Sequence, residues 1–288
     1  DAFRGCTALK AITFTTPVSP NYIDEVFPGN IIIGYRAFRD CKNLKTVNNT
    51  DNITKIYGGA FRGCTSLTSF NLSDKIEFIG KNAFYGCKAL KTVDIPDSVS
   101  IIENAAFSNC SGLEEITLPE NEHFTTLAST VLSRCTSLTE VTIPDSITTI
   151  KEDAFEGSSA LSSIIIPENV NSMGEGVFAN CSGLESAEFL CRMVRLPDGT
   201  FANCKNLKSV ILPDGLTETG NNAFSNCHSL EEILLPDTMK NIGYCSFQMC
   251  KLLKEIIIPE GATEIGDNAF EKTAISAVSM PAAKSIGS

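Results

Sequence analysis

Residues 83–99, AFYGCKALKTVDIPDSV, are the stretch from which the rest of the chain can be read. Phe84 recurs as Phe38, Phe61, Phe107, Phe155, Phe178, Phe201, Phe224, Phe247 and Phe270, and nearly every step is 23 residues. Self-similarity at a fixed period of this size is the mark of a stacked-coil architecture, in which no unit buries its apolar face alone. Within the unit, Leu90, Val93 and Ile95 are apolar and Thr92 and Asp94 polar. The period-two step from Val93 to Ile95 predicts a short strand with those two side chains inward and Thr92 and Asp94 outward. Pro96, which lacks a backbone donor, ends the strand, and Pro96-Asp97-Ser98 turns the chain.

A second apolar beat follows at Ile101-Ile102, written Ile79-Gly80, Ile242-Gly243 and Ile265-Gly266 in sister coils. Its Gly predicts a tight corner. The segment from Asn82 to Cys87 is too short for an independent helix and reads as one helical or 3-10 turn. Equivalent strands of successive coils run the same way, so the expected sheet is parallel, one strand per coil, with neighbours about 4.8 Å apart. The fold class is an α/β repeat solenoid of about 12 coils.

The phrase Leu90-x-x-Val93-x-Ile95, with Pro96, the Ile-Gly beat and Ala-Phe-x-x-Cys before the next Leu, resembles the BspA-like leucine-rich-repeat family over nearly the whole chain. The position where general leucine-rich repeats place an Asn ladder holds Ser98 and its equivalents. The resemblance implies a right-handed leucine-rich-repeat coil stack. It also implies a secreted or cell-surface protein of a host-associated microbe or protist, engaged in adhesion to host or extracellular proteins. It carries over no catalytic motif.

The whole span 1–288 reads as a single solenoid, with a loop insertion at about 15–32 and irregular coils at about 119–132 and 189–200. The insertion, between Phe3 and Phe38, contains Pro17, Pro20, Pro28 and Gly29. Leu132 replaces the repeat Phe after a 25-residue step, and Leu190-Cys191 displaces the usual Pro. Asp1 begins mid-coil and Ser288 follows an Ile-Gly beat, so the stretch reads as a fragment with flanking parts missing.

The net charge of −11 argues against nucleic acid or an anionic membrane as partner, and no run of 18 apolar residues offers membrane insertion. Ten of 12 Cys occupy one slot, three residues after the Phe, which Ser158 and Thr273 fill elsewhere. A slot that accepts Ser or Thr wants a small side chain, so these read as buried free thiols. Cys191 and Cys245 lie off that ladder and are the better candidates for a bond or a reactive thiol. The two His, His123 and His228, have no partner pattern for nucleophilic catalysis, and no zinc, phosphate or calcium motif is present. No enzyme and no cofactor are expected. Sequons fall at Asn48, Asn52, Asn71, Asn109 and Asn180.

The outward strand slots, eight and ten residues after the Phe, carry the functional signal. Early coils place Thr46 with Asn48, Ser69 with Asn71, and Thr92 with Asp94 there. Later coils place Ile165, Ile211, Leu234 and Ile257 in the second slot, interrupted by Glu188, with Glu232 and Glu255 in the first. That pattern predicts an exposed apolar stripe edged with acid, a contact site for a host or extracellular protein. β-branched residues also simply favour strands, which is the plainer explanation of the row. The alternative function is a structural spacer that presents another domain of a larger surface protein.

Overall fold

The computed structural model describes residues 1–15, 30–279 and 285–287. The expected insertion at about 15–32 lies almost wholly outside the described residues. The chain winds through about eleven turns of a parallel-strand solenoid, close to the twelve expected. The strand predicted at Val93 is Thr92–Asp94, paired in parallel and in register with Glu115–Thr117: Thr92 with Glu115, Val93 with Ile116 and Asp94 with Thr117. Val93 and Ile95 face inward and are buried, while Thr92 and Asp94 are exposed.

Each regular coil also pairs at a second place. The Ile-Gly beat forms its own parallel ladder, as in Phe78–Ile79 with Ile101–Ile102, and Arg195–Leu196 through Glu218–Thr219, Asn241–Ile242 and Glu264–Ile265 to Ser285–Ile286. The single expected sheet is therefore two ladders on two sides of the coil. Two-residue strands have too little alternation to be seen in sequence.

The segment around Phe84 is not helical, and no helix occurs among the described residues. Asn82 and Gly86 have φ of 56° and 71°, and the same two slots are left-handed in coil after coil. Two left-handed residues four positions apart stop a helix from propagating. Alternate N–H groups instead reach across to the next coil: Asn82 N to Asn104 O (3.0 Å), Phe84 N to Ala106 O (2.8 Å) and Gly86 N to Ser108 O (2.9 Å). The intervening donors close tight turns, as in Tyr85 N to Asn82 O (3.1 Å). This satisfies the backbone of a short segment packed on the core.

The interior is a stack of aromatic rings. Successive repeat Phe rings lie nearly parallel, with centroids 5.0 Å apart for Phe224–Phe247 and 5.6 Å for Phe178–Phe201. Ring stacking at such separation adds to the area buried. Beside the rings runs the Cys slot. Cys204 Sγ donates to Phe178 O (3.1 Å), one coil back, and Cys64, Cys87, Cys110, Cys135, Cys181, Cys227 and Cys250 repeat the bond to their own preceding coils. Ser158 makes the same contact through its hydroxyl, to Leu132 O (2.8 Å). The slot thus selects a small donor as well as a small volume. All 12 Cys are free thiols, Cys191 and Cys245 included, and all but Cys6 are buried. Burial pushes the Cys64, Cys110, Cys181 and Cys250 thiols up to about 12, because the thiolate loses its hydration.

The Gly of the Ile-Gly beat has a different cause from the one expected. A Cβ on Gly243 would lie 2.5 Å from Gly220 O and 2.6 Å from its carbon, and one on Gly80 would lie 2.7 Å from Gly58 N. Neither residue has a left-handed φ. Close approach of the preceding coil's backbone, not backbone angle, excludes a side chain here.

Candidate protein-binding face

The Val-x-Ile ladder positions the outward row. Ser163–Ile166 pairs with Ser186–Phe189, and that with Ser209–Ile211, so Ile165, Glu188 and Ile211 follow one another along the axis. Their inward neighbours Ile164, Ala187 and Val210 fill the core, which turns Ile165 and Ile211 out to water. Leu234 and Ile257 continue the row two coils further. The four side chains are exposed by 54%, 60%, 81% and 68% for Ile165, Ile211, Leu234 and Ile257. Leu234 is the most open, and 231–235 forms no strand.

This ladder is interrupted at 68–72, 139–143 and 231–235 among the described residues. Grooves open beside the last two gaps. One of about 510 Å³ is lined by Glu115, Glu140, Val141, Ile165 and Leu190 among others. The second, of about 470 Å³, is lined by Lys208, Glu231, Glu232, Lys254 and Glu255. Glu232 and Glu255 are thus brought together, but not as a bare acidic edge. Lys208 and Lys254 share their groove, and Lys208 Nζ lies 2.8 Å from Glu185 Oε2. These Lys stand seven residues after the repeat Phe, a slot outside the strand pattern.

Two apolar residues of the irregular segment join the surface unannounced. Leu190 is 54% exposed beside Ile165 in the larger groove, and Val194 is 68% exposed. The displaced Pro slot at 190 was the available signal. A further apolar row, invisible while one strand per coil is assumed, lies on the Ile-Gly ladder. There Ile32, Phe78 and Ile101 share one register, interrupted by Lys55, and Tyr35 stacks on Tyr57 at 4.9 Å. His123 and His228 are far apart in sequence and share no contact; His228 is held below its usual range by burial and by Lys251 and Lys205. Among the described residues, no group of His, Cys, Asp or Glu is arranged to hold a metal ion, and no helix is long and apolar enough to cross a membrane.

An array built on one repeated phrase, with two parallel ladders and an aromatic and thiol interior, is a leucine-rich-repeat scaffold. The family described as BspA type leucine rich repeat region matches residues 31–158, 77–207 and 184–288, and the chain belongs to it. A leucine-rich repeat protein of Bacteroides ovatus has a similar structure, with 28% identity, a TM-score of 0.60, and coverage of 94% of this chain and 78% of that one. A leucine rich cell surface protein of Faecalibacterium prausnitzii is similar at 26% identity and a TM-score of 0.51, covering 86% of this chain and 76% of that one. A leucine-rich repeat protein of Eubacterium ventriosum shares the fold at 24% identity, a TM-score of 0.62, and 96% and 79% coverage. Among curated proteins, none matches the chain.

Proposed function

We propose that the chain is a non-catalytic extracellular adhesion scaffold that holds a host or extracellular protein against the C-terminal half of its Val-x-Ile face. The observation that carries this is the row Ile165, Ile211, Leu234 and Ile257, each more than half exposed in a molecule whose inward slots are buried. Ile211, Leu234 and Ile257 expose apolar side chains in three successive coils, with Ile165 beyond Glu188; apolar surface gathered in this way marks contact sites, and aliphatic anchors flanked by polar groups suit a protein partner. Glu232 and Glu255, alternating with Lys208 and Lys254, form the polar rim. The cell-surface description of the F. prausnitzii relative agrees with an extracellular setting. The span 1–288 acts as one continuous array that presents this face.

The test is Ile211→Asp with Leu234→Asp, folding being checked by thermal melting, in a binding assay against immobilised extracellular-matrix proteins and host cells. Both side chains point to water, so the melt is expected to hold while binding falls by about 2 kcal/mol or more. Undiminished binding by the folded variant removes this face as the contact site.

A further inference from the structure

The net charge of −11 conceals an asymmetry. Residues 1–100 hold 12 Lys and Arg against 9 Asp and Glu, while residues 101–288 hold 11 against 25. The N-terminal excess is organised by the coil. The slots four and seven residues after the repeat Phe form the corner between the aromatic turn and the Val-x-Ile strand. In successive N-terminal coils the second of these is Lys10, Lys45, Thr68 and Lys91. Their backbones are bonded in sequence: Lys45 N to Lys10 O (2.8 Å), Thr68 N to Lys45 O (3.3 Å) and Lys91 N to Thr68 O (3.4 Å). The first slot runs Lys42, Thr65 and Lys88, with Thr65 Oγ1 on Lys42 O (3.3 Å). Five exposed ammonium groups therefore stand in two parallel rows along the axis. Two ring steps of 5.4 Å separate the coil of Lys45 from that of Lys91, with hydroxyls between. Among the described residues, Lys91 alone of the five has a carboxylate partner, Glu114, on the next coil.

We propose that this ridge, Lys10, Lys42, Lys45, Lys88 and Lys91, binds a linear sulfated polysaccharide laid along the solenoid axis. From the coil of Lys45 to that of Lys91 both rows run cation, hydroxyl, cation, which matches a stiff chain whose sulfates and carboxylates recur between hydroxyls. None of the exposed large apolar residues lies on these two rows, so the ridge lacks the desolvated anchors a folded protein partner would need. It also lacks the aromatic platforms on which single-stranded nucleic acid stacks; the nearby Tyr85 ring lies 4.3 Å under the Arg62 guanidinium. The same slots in the C-terminal coils hold Lys205, Lys208, Lys251 and Lys254. There Glu185, Glu231, Glu232 and Glu255 offset them, Lys208 being paired with Glu185. The ridge is separate from the apolar row of the C-terminal half, so the two sites can fail independently.

Heparin is the probe. The protein is expected to bind it at low salt, with an affinity that falls with salt at a logarithmic slope of about 4.5, each of the five Lys contributing about 0.9. The quadruple variant Lys42→Gln, Lys45→Gln, Lys88→Gln and Lys91→Gln should bind at least about tenfold more weakly. The control change of Lys151, Lys205, Lys240 and Lys251 to Gln, outside both the ridge and the polar rim of the apolar row, should leave heparin binding unchanged. If the quadruple variant fails to fold, Lys45→Gln and Lys91→Gln taken singly should each reduce the slope by about 1. Absence of heparin binding at low salt, equal loss in the two quadruple variants, or equal competition by poly-glutamate or duplex DNA would each overturn the assignment.

Discussion

Cys204 shows what a single slot demands. Its Sγ donates to Phe178 O, which already accepts the Cys181 N–H at 3.1 Å. The thiol fills a fully buried position and ties one coil to the one before. A hydroxyl can do the same, as the fully buried Ser158 demonstrates. Cys204→Ser is therefore expected to cost no more than about 1 kcal/mol, whereas Cys204→Ala, which removes both donor and volume, should cost about 2 kcal/mol. Urea midpoints of the two variants check this, and a Ser variant as unstable as the Ala one would contradict the bond. The smallness of this slot was readable in the sequence from Ser158 and Thr273. Its donor was not, because the acceptor lies a full coil away, at a carbonyl that carries no sequence mark.

At the scale of the element, two kinds of glycine have to be distinguished. Gly86 has φ of 71° and open space around a would-be Cβ, and Asn109, Asn180, Asn203 and Asn226 occupy its slot with the same left-handed φ. Gly243 has no left-handed φ but lies against the Gly220 carbonyl. Gly86→Asn should thus be tolerated within about 1 kcal/mol, since Asn visits that region readily. Gly243→Asn should cost about 3 kcal/mol or more, as any side chain must push two coils apart. Denaturant unfolding of both variants decides it, and equal costs would refute the distinction. The strand at Val93 could be read directly, because alternation over Thr92, Val93, Asp94 and Ile95 allows only one pairing of faces. The turn at Phe84 could not. Apolar spacing there fits a helical turn, and only the left-handed slots at Asn82 and Gly86 redirect its N–H groups to the next coil.

For the whole molecule, the repeat makes inward slots uniform and leaves outward slots free to vary, so one scaffold carries unlike surfaces along its length. The outward position of Ile165, Ile211, Leu234 and Ile257 followed from period two alone. The groove beside Ile165 and the one lined by Glu232 and Glu255 did not, for these open where the ladder lapses at 139–143 and 231–235 although the phrase continues unbroken there. Leu190 and Val194 became visible only once the irregular coil had a shape. The basic ridge escaped notice for a different reason: total charge averages a positive N-terminal third with an acidic remainder, and only coil register separates them.

The shared interior can be counted chemically. Under reducing conditions, with the reductant then removed, the native protein should show one promptly reactive thiol, the exposed Cys6, and all 12 after unfolding in denaturant. Burial both shields the other thiols and raises those of the ladder well away from the thiolate form. Prompt labelling of several thiols in the native protein would mean that the windings do not enclose the thiol and phenylalanine columns on which every surface described above depends.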